Sequence, residues 1–168
     1  MDKEEIGVRA ERAIGYTLSK TGYLDPQIVG DKYPIWDGDV FVYRDRPWGR
    51  DTFLGRVPVQ IKGQEVIAPN RVMKRKVKLI DLRHFLDEGG ALFLGVQMSA
   101  AGGEWYYCAQ LLPFDIKTKL RGASGQSTVT LDLKRIDTEP NKLVWLFIIE
   151  NHRLRLWFAL RFNRYRSL

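Results

Sequence analysis

The stretch WDGDVFVYRDRPWGRDTFLGRVPVQIKG, residues 36–63, decides how the rest of the chain is read. Strand-like runs at about 39–44 and 53–62 flank the loop RDRPWGRD, which carries Pro, Gly and five charges. Such runs bounded by turn residues are the pattern of a β-hairpin. Asp37-Gly38-Asp39 opens the first strand and Gln60-Ile61-Lys62 closes the second, so both polar groups come to one end of the hairpin. Side chains alternate faces along a strand. Asp37 and Asp39 therefore share one face, as do Gln60 and Lys62. With the turn centred near Trp48-Gly49, Asp37 lies opposite Gln60, and carboxylate, amide and ammonium converge.

That combination suits metal-dependent phosphodiester cleavage. Mg²⁺ takes few carboxylates, keeps several waters and binds phosphate oxygens. Asp37, the side-chain oxygen of Gln60 and the backbone carbonyl of Ile61 would form such an open site. Lys62 would stabilise developing charge and orient the attacking water. Gln60 brings one negative charge fewer than Glu or Asp, which weakens metal binding. Glu11 is the candidate to compensate, because it borders the apolar stripe of a helix read at residues 3–20 (Ile6, Ala10, Ile14, Leu18). Each residue also has a plainer explanation. Asp-Gly-Asp favours turns, Gln60 and Lys62 suit the exposed face of an edge strand, and Glu11 suits a helix surface. Their joint placement at one hairpin end favours the site.

The remaining pattern is that of a mixed α/β domain. TGYLDPQIVGDKYP reads as a turn-rich connector. A basic strand at about 72–79 is followed by a short helix, IDLRHFLDEGG, with Asp81 as its cap and Gly89-Gly90 as its stop. ALFLGVQM and EWYYCAQLL suit central strands. A helical turn starts at Pro113. RGASGQS is a loop and TVTLDL a strand, and EPNKLVWLFIIE is a helix with Pro140 in its first turn. This order predicts an α/β (α+β) sandwich with a mixed central sheet flanked by helices.

At 168 residues the chain is one domain by size. Its net charge of +7 and pI near 9.6 favour polyanionic partners. Cys108 is the only cysteine, so no disulfide forms within the chain. No apolar leader opens the sequence, and no run reaches transmembrane length. The expected location is cytoplasmic. Arg71, Lys74, Arg75, Lys76 and Lys78 could hold a phosphate backbone or form a solvated edge. Trp48 at the hairpin tip could stack on a base or pack on the sheet. His84 and His152 have no partner at zinc-ligand spacing. The segment 151–168, NHRLRLWFALRFNRYRSL, holds five Arg and no acid. It is set apart from a domain at 1–150 as a nucleic-acid contact, a membrane-surface segment or the end of a piece of a longer protein.

EIGVRAERAIGYTL, IWDGDVFVY and GRVPVQIKG together resemble the PD-(D/E)XK nuclease superfamily, most closely its prokaryotic DUF4365-like branch with a WDG…VQVKG pattern. DLRHFLDEGGALFLGV and WYYCAQLLPFDI extend the likeness over most of the chain. The resemblance implies a restriction-endonuclease-like fold, Mg²⁺ or Mn²⁺ as cofactor, and DNA rather than RNA as substrate. It also implies a role in restriction or antiphage defence, and leaves room for a homodimer. It places Asp37 at the metal-binding Asp, Gln60 at the variable acidic position, Lys62 at the Lys and Glu11 at the first-helix Glu. Asp39 takes the Asp role if the alignment slips by two. Gln60 and the absence of Pro before Asp37 depart from the parent pattern. The alternatives are a catalytically silent domain of this fold that binds nucleic acid, and an interaction module docking through its C-terminal segment.

Overall fold

The computed structural model describes residues 2–29 and 36–164, with side chains as far as Arg153. The elements in chain order are α1 (Lys3–Ser19), β1 (Leu24–Ile28), β2 (Gly38–Tyr43), β3 (Phe53–Glu65), β4 (Val72–Lys78), α2 (Leu79–Asp87), β5 (Ala91–Met98), β6 (Glu104–Leu111), α3 (Pro113–Gly122), β7 (Thr128–Arg135) and α4 (Pro140–Arg164). Seven strands form one mixed sheet in the order β1-β2-β3-β5-β6-β7-β4. β3 and β5 run parallel, and the other pairs are antiparallel. The arrangement is consistent with a restriction-endonuclease-like α+β architecture.

Apolar periodicity explains the layers. Ala10, Ala13, Ile14 and Leu18 of α1 bury against Val40, Val42, Val57, Val59 and Ile61, and α4 adds Leu143 and Phe147 to the same cluster. On the other face, Leu82 and Phe85 of α2 and Ile116 of α3 pack on Met73, Phe93, Tyr107 and Leu133. β5 is buried along all eight residues because both of its faces are covered, which is why ALFLGVQM is continuously apolar.

Two glycines set how closely the layers approach. A Cβ on Gly63 would stand 2.5 Å from the Ile6 carbonyl oxygen and 3.0 Å from Ala10 Cβ, so its absence seats α1 on β3. A Cβ on Gly95 would meet Met73 Sδ at 2.5 Å and Leu133 Cδ2 at 2.9 Å. The side chains of Met73 from β4 and Leu133 from β7 therefore reach over the middle of β5.

Several local expectations change. The 21–34 connector contains strand β1, an edge strand that tolerates Pro26 because an edge residue can lack a ladder donor. Asp81 does not cap α2: the cap residue is Lys78, without a side-chain bond, and Asp81 stands in the first turn. Its carboxylate there still favours the helix dipole. The turn at Pro113 extends into a ten-residue helix that takes in the first residues of RGASGQS. α4 continues without a break across residue 150. The Arg-rich side chains after Arg153 and residues 165–168 lie outside the described residues. Among the described residues, no helix is long and apolar enough to cross a membrane.

Glu150 lies on the buried stripe of α4, three residues after Phe147 and seven after Leu143. It is fully buried, and neither carboxylate oxygen has a hydrogen-bond partner among the described residues. Burial pushes its pKa up to about 7, with Asp115 adding to the rise and Arg153 opposing it. The folded state therefore holds the proton where the unfolded chain has released it. This contribution is intact below about pH 4.5 and is lost as pH rises toward and through about 7.

Two outcomes are expected. Glu150→Gln should gain stability over wild type between pH 5 and pH 8, by an amount on the order of 2–3 kcal/mol. Urea unfolding of both chains at the two pH values measures it, and a constant difference rejects the assignment. Gly63→Ala should lose about 1–3 kcal/mol by forcing α1 off β3, read from the same urea curves at pH 7.

Candidate active site

The hairpin register brings the predicted residues together. Gly38 pairs with Val59 and Asp39 with Pro58, so Asp37 comes opposite Gln60. Gly38 itself is required by close approach, because a Cβ there would collide with the Gln27 carbonyl of β1. The core takes Val40 and Val42 from one face of β2, which leaves Asp37 and Asp39 on the other. Gln60 is in register with Phe93, a member of the α2/α3-side cluster. The polar side chains therefore point to that side of the sheet.

Asp37 is the centre of the cluster. Its backbone N–H donates to the Val59 carbonyl at 3.0 Å. Its Oδ2 accepts from Gln60 Nε2 at 2.5 Å and from the Ile61 backbone N–H at 2.5 Å. Lys62 Nζ lies 3.8 Å away, with its side chain half exposed. Asp37 and Gln60 are both buried. Asp39, two residues along the same face, accepts from Arg56 Nη1 on Oδ2 at 2.9 Å, while its Oδ1 is buried without a hydrogen-bond partner among the described residues. α1 packs on the other face of the sheet. Glu11 shares with Lys62, Ile61 and Gly63 a cavity of about 240 Å³ between α1 and β3.

The backbone of β3 presents one open edge here. The Val59 carbonyl and the Ile61 N–H both face Asp37, and the Gly63 carbonyl accepts a bond from Arg75 Nη2. In a strand, the N–H and C=O of one residue point to the same side, and alternate residues repeat it. The Ile61 carbonyl therefore lies at this edge as well.

Asp37, whose Oδ2 already accepts from Gln60 and Ile61, the Gln60 amide if turned about its last bond to present its oxygen, and the Ile61 carbonyl are the groups that could hold a hard cation of the Mg²⁺ or Mn²⁺ kind. Few carboxylates and room for water are what Mg²⁺ tolerates. Among the described residues no three His, Cys, Asp or Glu side chains converge, so a closed four-ligand centre of the structural zinc type is not built there.

No family model, curated protein or solved structure matches the chain.

Other expected contacts lie further off. Trp48 is at the far end of the hairpin, roughly 20 Å of strand from Asp37. Its indole stacks on Tyr43 with 5.3 Å between centroids, Arg46 lies over its ring, and its N–H donates to the Gly22 carbonyl. Trp48 thus ties the hairpin tip to the turn after α1. Lys74, Lys76 and Lys78 are exposed on the outer side of β4, with Lys74 opposite Asp132 in β7. Arg75 does not belong with them. It alternates with them and points inward between Met73 and Val77. The lone Cys108 is half buried, and burial pushes its pKa up to about 11, with Glu150 adding to the rise.

A polar network inside the second core was not read from the sequence. Gln97 is fully buried. Its Oε1 accepts from the Asn70 N–H at 2.8 Å and from Tyr107 Oη at 2.8 Å, and its Nε2 donates to Gln64 at 3.1 Å. This anchors the β3–β4 connection beside Lys62. A Gln between Val96 and Met98 in an otherwise apolar strand was the available signal, since a buried amide needs partners.

Mn²⁺ is expected to raise the melting temperature of the wild-type chain and not that of Asp37→Asn. Equal shifts in the two chains would remove Asp37 from the metal site.

Proposed function

We propose that the chain is a metal-dependent nuclease of the PD-(D/E)XK kind, hydrolysing DNA phosphodiester bonds with Mg²⁺ or Mn²⁺ in prokaryotic restriction or antiphage defence. The supporting observation is the convergence of Asp37, Gln60 and Lys62 at the open edge of β3. There a buried carboxylate stands 3.8 Å from a half-exposed ammonium. Asp37, the Gln60 amide oxygen and the Ile61 carbonyl would hold the cation, with Asp39 and Glu11 as the nearby acids. When bound, the cation would polarise the phosphate and acidify water. Lys62 would offset negative charge growing on the phosphate oxygens and hold the attacking water in line. Burial of Asp37 and Gln60 would strengthen both effects by excluding bulk solvent. The basic face of β4, with Lys74, Lys76 and Lys78, would add salt-dependent affinity for the backbone.

A second reading draws on one observation. Gln60 donates to Asp37 and, with the Ile61 N–H, satisfies its Oδ2 from within the protein. A site closed in this way would suit a catalytically silent domain that binds nucleic acid or docks to a partner.

Nicking of supercoiled plasmid separates the two. The active reading expects Mg²⁺- or Mn²⁺-dependent nicking by wild type, reduced about 100-fold or more in Asp37→Ala and Lys62→Ala. Gln60→Glu should need about tenfold less metal, because it adds a charge at the ligand position. A wild type that binds duplex in EDTA but does not nick with either metal would select the silent reading. Alanine variants that cut as well as wild type would sink the site.

A further inference from the structure

β4 carries one cation that is not on its outer face. Along Val72–Lys78, Met73 and Val77 are buried and Lys74, Lys76 and Lys78 exposed, and Arg75 lies with the buried set. Its guanidinium donates through Nη2 to the Gly63 carbonyl, and its Nε is buried without an acceptor among the described residues. No carboxylate lies within ion-pair distance of it among the described residues. Burial pulls its pKa below the usual arginine value, with no opposing carboxylate. Arg75 as a whole is half-buried, and its guanidinium uses few of its five donors on protein.

The placement is built rather than incidental. Gly95 admits Met73 of β4 over β5, and the Gln97–Tyr107–Asn70 network fixes the chain that leads into β4. These contacts deliver Arg75 to the edge of β3 that Asp37 occupies. Gly63 is one residue beyond Lys62 and two beyond Ile61, about 7 Å along the strand from the Asp37 bond.

We propose that Arg75 is the anion-holding residue of this site, taking a phosphodiester oxygen beside Lys62, while the outer lysines of β4 provide only general attraction. The inference rests on the nuclease reading for its substrate. The planar fork of arginine suits phosphate oxygens, and the guanidinium keeps donors that the Gly63 carbonyl does not take.

The probes are inorganic phosphate, compared with chloride at equal ionic strength, and a fluorescent DNA duplex in EDTA. Wild type, Arg75→Gln, Arg75→Lys and Arg121→Gln are compared; Arg121 is an exposed arginine on α3 and serves as charge control. Phosphate should raise the melting temperature of wild type and Arg121→Gln, and this increment should vanish in Arg75→Gln. Duplex binding should weaken about tenfold in Arg75→Gln, the loss of one charge-assisted contact. Equal phosphate increments in wild type and Arg75→Gln would overturn the proposal and leave Arg75 as a brace for Gly63. If Arg75→Gln does not fold, Arg75→Lys decides: weaker duplex binding supports the fork, and unchanged binding overturns it. Neither readout needs cleavage. An Arg75-dependent phosphate shift in a chain that never nicks would sink the nuclease reading alone. Nicking that Arg75→Gln leaves unchanged would sink the Arg75 assignment alone.

Discussion

Asp37 completes a sheet that would otherwise end unpaired. β2 leaves β3 at the Asp37–Val59 hydrogen bond, and the next edge donor of β3, the Ile61 N–H, would have no partner. The Asp37 carboxylate supplies that partner. A buried N–H without an acceptor costs roughly 1–3 kcal/mol, so the same side chain both closes the ladder and fixes the end of β3. Gln60 and Lys62 then follow from strand geometry: they flank Ile61 and share the face on which Asp37 stands. The chemistry of the site and the integrity of the sheet edge therefore rest on one carboxylate.

Close approach of backbones shapes the surroundings of that carboxylate. Gly38 lets β1 lie against the start of β2, Gly63 seats α1 on β3, and Gly95 makes room for the Met73 side chain of β4. In each case a methyl group would occupy space filled by a neighbour. Around the end of β3, Glu11 of α1 shares a cavity with Ile61, Lys62 and Gly63, and Arg75 of β4 reaches the Gly63 carbonyl. Gln97, Tyr107 and Asn70 hold the last of these approaches in register through hydrogen bonds in a dry environment, where each bond is stronger than in water and each omission more costly.

The buried charges are unevenly satisfied. Asp37 has donors on Oδ2, whereas Asp39 Oδ1, Arg75 Nε and both oxygens of Glu150 have no partner among the described residues. Native proteins pair nearly all such groups, and exceptions cluster at functional or strained places. Asp39 and Arg75 belong to strands that converge on the Asp37 site. Glu150 is on the opposite layer, where α4 lies on β3 and Asn151 donates to the Leu54 carbonyl. Its neutral form at moderate pH is the simplest way for that layer to stay packed.

The hairpin, its register and the convergence of Asp37, Gln60 and Lys62 are legible in the amino-acid order. Those features depend on local rules: period-two alternation, a turn of defined centre, and the requirement that opposed residues share a face. The apolar runs of β5 and β6, the stripe of α1 and the start of α4 were legible for the same reason. Long-range pairing makes LDPQI an edge strand, because its ladder with β2 overrides a turn-rich composition. Long-range contacts also pack Trp48 at the hairpin tip and bury Glu150. Arg75 looked like one of five cations in a basic run. The alternation Met73, Arg75, Val77 was present in the sequence, but which face of β4 turns inward depends on how the sheet rolls over Gly95. That is set by contacts between residues far apart in the chain, which no local pattern encodes.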